Sequence, residues 1–178
     1  MRITRKFATT VVAGVAVASS LAAGSAVAAG SDPLPLKRSA HSAAAVGRFV
    51  NANSGKCLEI ANSSKSNGAR AQQWTCNGQA GAKWRLKKGS GNWAYIINVK
   101  SGKCLEISNS SKSNGARAQQ WTCNGQAGAK WAGAAAGHGK TYIVNVNSGK
   151  CLEISNSSKS NGARAQQWTC KGQAGAKW

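Results

Sequence analysis

The chain has 178 residues, of which 24 are lysine or arginine and only four are acidic, a formal net charge of +20 at pH 7. Such a balance favours polyanionic partners (nucleic acid, acidic glycans or an anionic cell envelope), although cations spread singly along a chain also serve solubility alone. With two histidines in all, the six cysteines have too few partners for a Cys/His zinc centre, so neither a metal nor a cofactor is expected.

The N-terminus reads as an export signal. Arg2, Arg5 and Lys6 form a basic start, Phe7 to Leu21 carries no charge, and Ala26-Val27-Ala28 supplies a small-x-small cleavage pattern. Residues 1–29 are therefore expected to be a secretory signal peptide, and the mature protein to be secreted and extracellular. As a membrane anchor the same stretch is alanine-rich and borderline in length, and no transmembrane segment is expected in the mature chain. Loss of its three cations lowers the net charge by three, from +20 to +17. Residues 30–45, with Pro33, Pro35, Lys37-Arg38 and no apolar period, read as a linker or short pro-segment. Residues 46–178 are enough for one domain with its own core.

Self-comparison supplies the main signal. The block from Asn53 to Trp84 recurs from Lys100 to Trp131 and from Asn147 to Trp178, and Cys57, Cys104 and Cys151 mark a period of 47 residues. The units run over about 46–92, 93–139 and 140–178. Short apolar pieces such as Tyr95–Val99, Cys104–Ile107 and Ala118–Trp121 alternate with Ser/Asn/Gly clusters, which predicts strands and turns. Asn67-Gly68, Asn114-Gly115 and Asn161-Gly162 are turn dipeptides, and Ser-Gly at 54–55, 101–102 and 148–149 marks a second turn per unit. About four strands in each of three units predict a closed all-β domain, with a solenoid as the competing architecture.

The cysteines obey the same period. Two fall in each repeat, and 57–76, 104–123 and 151–170 have equal separations. Of the fifteen pairings open to six cysteines, only the local one respects the repeat, so Cys57–Cys76, Cys104–Cys123 and Cys151–Cys170 are the expected bridges. After Trp84, Arg85–Lys88 and Gly89-Ser90-Gly91 read as the start of a hairpin, and Ala132–Gly137 after Trp131 as a weaker one. Nothing follows Trp178. A last strand is thus expected to be missing, leaving an edge for the segment near Ala43 to Arg48 or a partner chain to cover, unless the chain continues, and the third repeat is expected to be the least stable.

The order Ser-Gly-Lys-Cys-Leu-Glu-Ile, Asn-Gly-Ala-Arg-Ala-Gln-Gln-Trp-Thr-Cys and Asn-Gly-Gln-Ala-Gly-Ala-Lys-Trp resembles one repeat of the ricin B-type lectins, from about Val46 to Trp178. The resemblance implies a β-trefoil and, in each repeat, a shallow sugar pocket between an acid and an aromatic ring. Those positions are Glu59 with Trp74, Glu106 with Trp121, and Glu153 with Trp168, joined by the pocket glutamines Gln72, Gln119 and Gln166. An indole face stacks on a pyranose and a carboxylate accepts from adjacent hydroxyls. Trp84, Trp131 and Trp178 are expected to be core residues. Two departures stand out: Glu replaces the family's Asp, and Gly-Ala replaces the Asn-Gln before each closing tryptophan. The amide contact and the buttress of the acid are therefore expected to be absent in all three repeats.

Three function classes follow. A non-catalytic binder of glycans or cell-wall polysaccharide is the main reading, since three threefold-related glutamates stand apart and glycosidase chemistry needs two carboxylates on one bond. The second is a basic scaffold that binds anionic envelope polymers or another polyanion by charge alone. A protein-binding role on the loops leaves no mark in the sequence. For the site residues the plain alternatives are packing for Trp74, Trp121 and Trp168, and surface ion pairs of the glutamates with Lys56, Lys103 and Lys150.

Overall fold

The computed structural model describes residues 45–178; the expected signal peptide, most of the expected linker and His41 lie outside the described residues. The first repeat contributes β1 (Val46–Gly47), β2 (Cys57–Ile60), β3 (Ala71–Trp74) and β4 (Trp84–Lys88). The second contributes β5 (Ala94–Asn98), β6 (Cys104–Ile107), β7 (Ala118–Trp121) and β8 (Trp131–Ala135), and the third β9 (Thr141–Asn145), β10 (Cys151–Ile154) and β11 (Ala165–Trp168). The domain is an all-β trefoil, and the expected strands Cys104–Ile107 and Ala118–Trp121 have the predicted bounds.

In each repeat the strand from the first cysteine pairs antiparallel with the Ala-Gln-Gln-Trp strand. The register sets Cys57 opposite Trp74 and Glu59 opposite Gln72, with the same partners in β6·β7 and β10·β11. Because β-strand side chains alternate, Leu58 and Ile60 enter the core while Glu59 faces the other way, beside Gln72. The core gathers Leu58, Ile60, Ala71 and Trp84 with Ile96 and the equivalent residues of the other repeats. Trp84 and Trp131 are buried, and their indole N–H groups donate to the carbonyls of Leu58 and Leu105 at 2.9 Å, so each large ring enters the core without an orphaned donor. Trp178 repeats the bond to Leu152 at 3.1 Å but is only partly buried.

Closure distinguishes this fold from a solenoid. Asn51, Asn98 and Asn145 are fully buried staples: Asn98 Nδ2 donates to the Gly81 carbonyl and Asn145 Nδ2 to the Gly128 carbonyl, both at 2.8 Å, tying each repeat to the one before. Asn51 Nδ2 makes the same bond to the Gly175 carbonyl at 2.8 Å, and the Ala52 amide reaches the Lys177 carbonyl at 2.8 Å, joining first repeat to last.

The bridges are Cys57–Cys76, Cys104–Cys123 and Cys151–Cys170, as expected from the spacing. The weak Ala132–Ala135 segment does form β8 in a five-residue ladder with β9, since backbone pairing asks little of the side chains. The role expected for the segment near Ala43 to Arg48 needs correction. Val46 and Gly47 pair with Arg85 and Trp84, while Val50 bridges Cys57, so these residues are the first repeat's own opening strand and cannot also stand in for a closing one. The flank of that strand equivalent to β4 and β8 carries no strand among the described residues, and Val50 is 42% exposed where its counterpart Ile97 is 4% exposed.

Candidate functional site

Each repeat holds one shallow hollow. In the first, of about 180 Å³, the floor is Glu59, Gln72 and Gln79, and the walls are Asn62, Ser63, Trp74 and Asn77. Gln72 Nε2 donates to Glu59 Oε1 at 2.8 Å and Gln79 Nε2 to Oε2 at 2.7 Å. The second and third repeat this with Glu106, Gln119 and Gln126 (2.9 and 2.8 Å) and with Glu153, Gln166 and Gln173 (2.9 and 2.8 Å). All three carboxylates are 5% exposed, and each oxygen, with one neutral donor, keeps a lone pair for a further hydroxyl. Trp74, Trp121 and Trp168 are 39, 38 and 39% exposed, so their rings are presented rather than packed away. All nine residues expected in the pockets are thus brought together, three to a hollow.

The ion pairs considered from sequence do not form: Lys56 and Lys103 direct Nζ to Thr75 Oγ1 and Thr122 Oγ1, at 3.4 and 3.3 Å, while the glutamates take glutamine amides. Nor is the acid unsupported. Its buttress comes from Gln79, Gln126 and Gln173, upstream of the Gly-Ala pair. Glycine at 81 has a steric reason: a Cβ there would lie 2.6 Å from the Ile60 carbonyl oxygen, and the same approach recurs at Gly128 and Gly175. The Gly81 amide donates instead to Ser63 Oγ at 2.7 Å.

Sequence reasoning missed Gln79, Asn62 and Ser63 and their equivalents. Asn62 and Ser63 adopt left-handed φ of 55° and 48°, a conformation that asparagine tolerates and serine adopts at a cost of about 1 kcal/mol. Their threefold recurrence was visible, but a Ser/Asn cluster carries no sign that separates a pocket wall from an ordinary turn.

The pockets also cross repeat boundaries. A Cβ on Gly162 would lie 3.7 Å from the Trp74 ring, and Gly68 and Gly115 stand equally close to Trp121 and Trp168. Asn161 Oδ1 accepts from the Thr75 amide at 3.0 Å, Asn67 Oδ1 from Thr122 at 3.1 Å and Asn114 Oδ1 from Thr169 at 3.0 Å. Each tryptophan thus leans on the Asn-Gly turn of the repeat before it in cyclic order. Asn67→Ala, which removes about 1 kcal/mol of local hydrogen bonding, should weaken ligand-induced shifts of the Trp121 indole N–H resonance and leave those of Trp74 unchanged.

Among the described residues no group of three His, Cys, Asp or Glu side chains could hold a metal, and no helix is long and apolar enough to cross a membrane. The family model described as ricin-type beta-trefoil lectin domain-like matches residues 38–97, 81–168 and 133–178. No curated protein sequence matches. Among solved structures, the designed threefold symmetric protein ThreeFoil is 32% identical, with 75% of this chain and 95% of that one covered and a TM-score of 0.73. An exo-beta-1,3-galactanase from Clostridium thermocellum is 34% identical over 74% of this chain but only 29% of its own, with a TM-score of 0.70. The Rhizoctonia solani agglutinin shares the fold at 22% identity, with coverage of 76% and 93% and a TM-score of 0.69.

Proposed function

The chain belongs to the ricin-type beta-trefoil lectin domain-like family, and on that premise we propose that it is a secreted, non-catalytic carbohydrate-binding protein with up to three repeat-related shallow glycan sites. Glu59, Gln72 and Trp74 form the first, Glu106, Gln119 and Trp121 the second, and Glu153, Gln166 and Trp168 the third. The observation that carries this reading is the pairing, three times over, of a half-exposed indole with a buried carboxylate that is pre-oriented by two amides. A pyranose laid on the indole would present two neighbouring hydroxyls to the carboxylate, where the acceptor positions are already fixed. The three carboxylates lie one to a hollow, an arrangement that serves binding rather than acid/base cleavage. Three weak sites on one rigid body suit a polymer or a cell surface, where avidity multiplies affinity.

The second reading, charge-driven binding to a polyanion, is favoured by the basic balance of the whole sequence and by the exposed Lys87 and Lys88 of β4. Ionic strength separates the two. Retention of the mature domain on immobilised polysaccharide is expected to persist at about 0.5 M salt, where the Debye length is about 4 Å, and to be competed by free sugar. Retention on anionic matrices alone, abolished by salt and indifferent to sugar, would overturn the lectin reading.

A further inference from the structure

The blocks 53–84, 100–131 and 147–178 differ at three positions only: Asn53, Lys100 and Asn147; Ala61 and the serines 108 and 155; and Asn77, Asn124 and Lys171. The last is the only one that lines a hollow. Glu, Asn, Ser, Gln, Trp and the second Gln recur in all three linings, but the rim asparagine of the first two is a lysine in the third. Lys171 is exposed, and its backbone amide donates to Gln173 Oε1 at 2.8 Å, which anchors it beside the amide that holds Glu153.

A second difference is one hydrogen bond of an arginine that all three repeats carry, as Arg70, Arg117 and Arg164. Arg164 Nη2 donates to Gln166 Oε1 at 2.8 Å, whereas the oxygens of Gln72 and Gln119 are buried without a partner. The third hollow thus has an ammonium at its rim and a guanidinium on its floor glutamine, around a carboxylate whose two oxygens already accept amide bonds. A ligand that brings only hydroxyls can accept a hydrogen bond from Lys171 much as it could from the amide of Asn77 or Asn124. One with an anionic group beside its hydroxyls gains a charge-assisted bond at the rim.

We infer that the third site selects a sugar carrying an anionic substituent, a carboxylate or a sulfate, while the first two sites take neutral sugars. Lys171 is the specificity-determining residue, and the inference rests on the glycan-binding reading above.

The test follows the indole N–H resonances of Trp74, Trp121 and Trp168 by NMR in the intact mature protein at 0.15 M salt. The probes are galactose and glucose, their uronic acids, and galactose 6-sulfate; the uronate and sulfate arms distinguish the two anions. An acidic probe should bind the Trp168 site about twofold to fivefold more tightly than its neutral parent, as expected of one exposed charge pair. Lys171→Asn should erase that preference, and it is safe for folding because Asn77 and Asn124 occupy the equivalent positions. Asn77→Lys should create the preference at Trp74. An unchanged preference in Lys171→Asn, or none at Trp168 to begin with, overturns the assignment, while neutral sugars that shift all three indoles leave the lectin reading standing. If no probe moves any indole, both fall.

Discussion

Alanine at Trp74, Trp121 and Trp168 together is expected to lower retention on a recognised polysaccharide at least about a hundredfold, with the three disulfides intact and a cooperative thermal melt retained. Each ring is more than a third exposed, so its removal takes little from the core, which is built from Leu58, Ile60, Trp84 and their equivalents. A sugar, by contrast, loses the one large flat surface in the hollow. Central aromatic anchors of this kind cost about 2 kcal/mol or more when truncated, roughly thirtyfold per site. Because avidity multiplies the sites, the triple variant should fall much further than any single one. Frontal affinity chromatography of the single and triple variants checks both statements, and retention that survives the triple variant would move the binding surface elsewhere.

Reduction of the three disulfides is expected to unfold the domain at room temperature. Each bridge spans a separation of 19 residues, a loop for which chain entropy gives about 3 kcal/mol. Three such contributions reach about 9 kcal/mol, within the roughly 5–15 kcal/mol of a whole natural domain. Cys57, Cys104 and Cys151 are fully buried, whereas Cys123 and Cys170 are exposed, so a small reductant has access from outside. Circular dichroism with and without dithiothreitol reads the outcome. A reduced protein that kept its native melting profile would show that core packing and the Asn51, Asn98 and Asn145 staples suffice.

The fold was legible because its evidence is periodic. A repeat of 47 residues, local cysteine pairs and Asn-Gly turns left few arrangements besides three units around an axis. The glutamate, glutamine and tryptophan of each pocket were legible through the family resemblance, since Glu59, Gln72 and Trp74 sit on paired strands whose register follows from the alternation of the sequence. The remainder depends on three-dimensional approach. Gln79 reaches Glu59 only because the chain turns over residues 80–82, and Gly81 permits that turn by lacking a Cβ. The substitution of Gly-Ala for Asn-Gln therefore looked like a lost buttress in sequence, although the carboxylate is held from another position. The support of Trp74 by Gly162 was equally hidden, since 88 residues separate them and nothing in either repeat alone marks the contact.

That long-range support gives the three sites an order of birth. As the chain emerges from N-terminus to C-terminus, Trp121 finds the turn at Gly68 already made, and Trp168 finds that at Gly115. Trp74, the earliest of the three to appear, must wait until Asn161 and Gly162 have been synthesised. A nascent chain two repeats long would hold one finished hollow and one whose ring has no backing. The hollow of the first repeat is thus completed only when the ring closes, so its indole reports on closure itself and would mark the moment at which a folding chain has all three hollows formed.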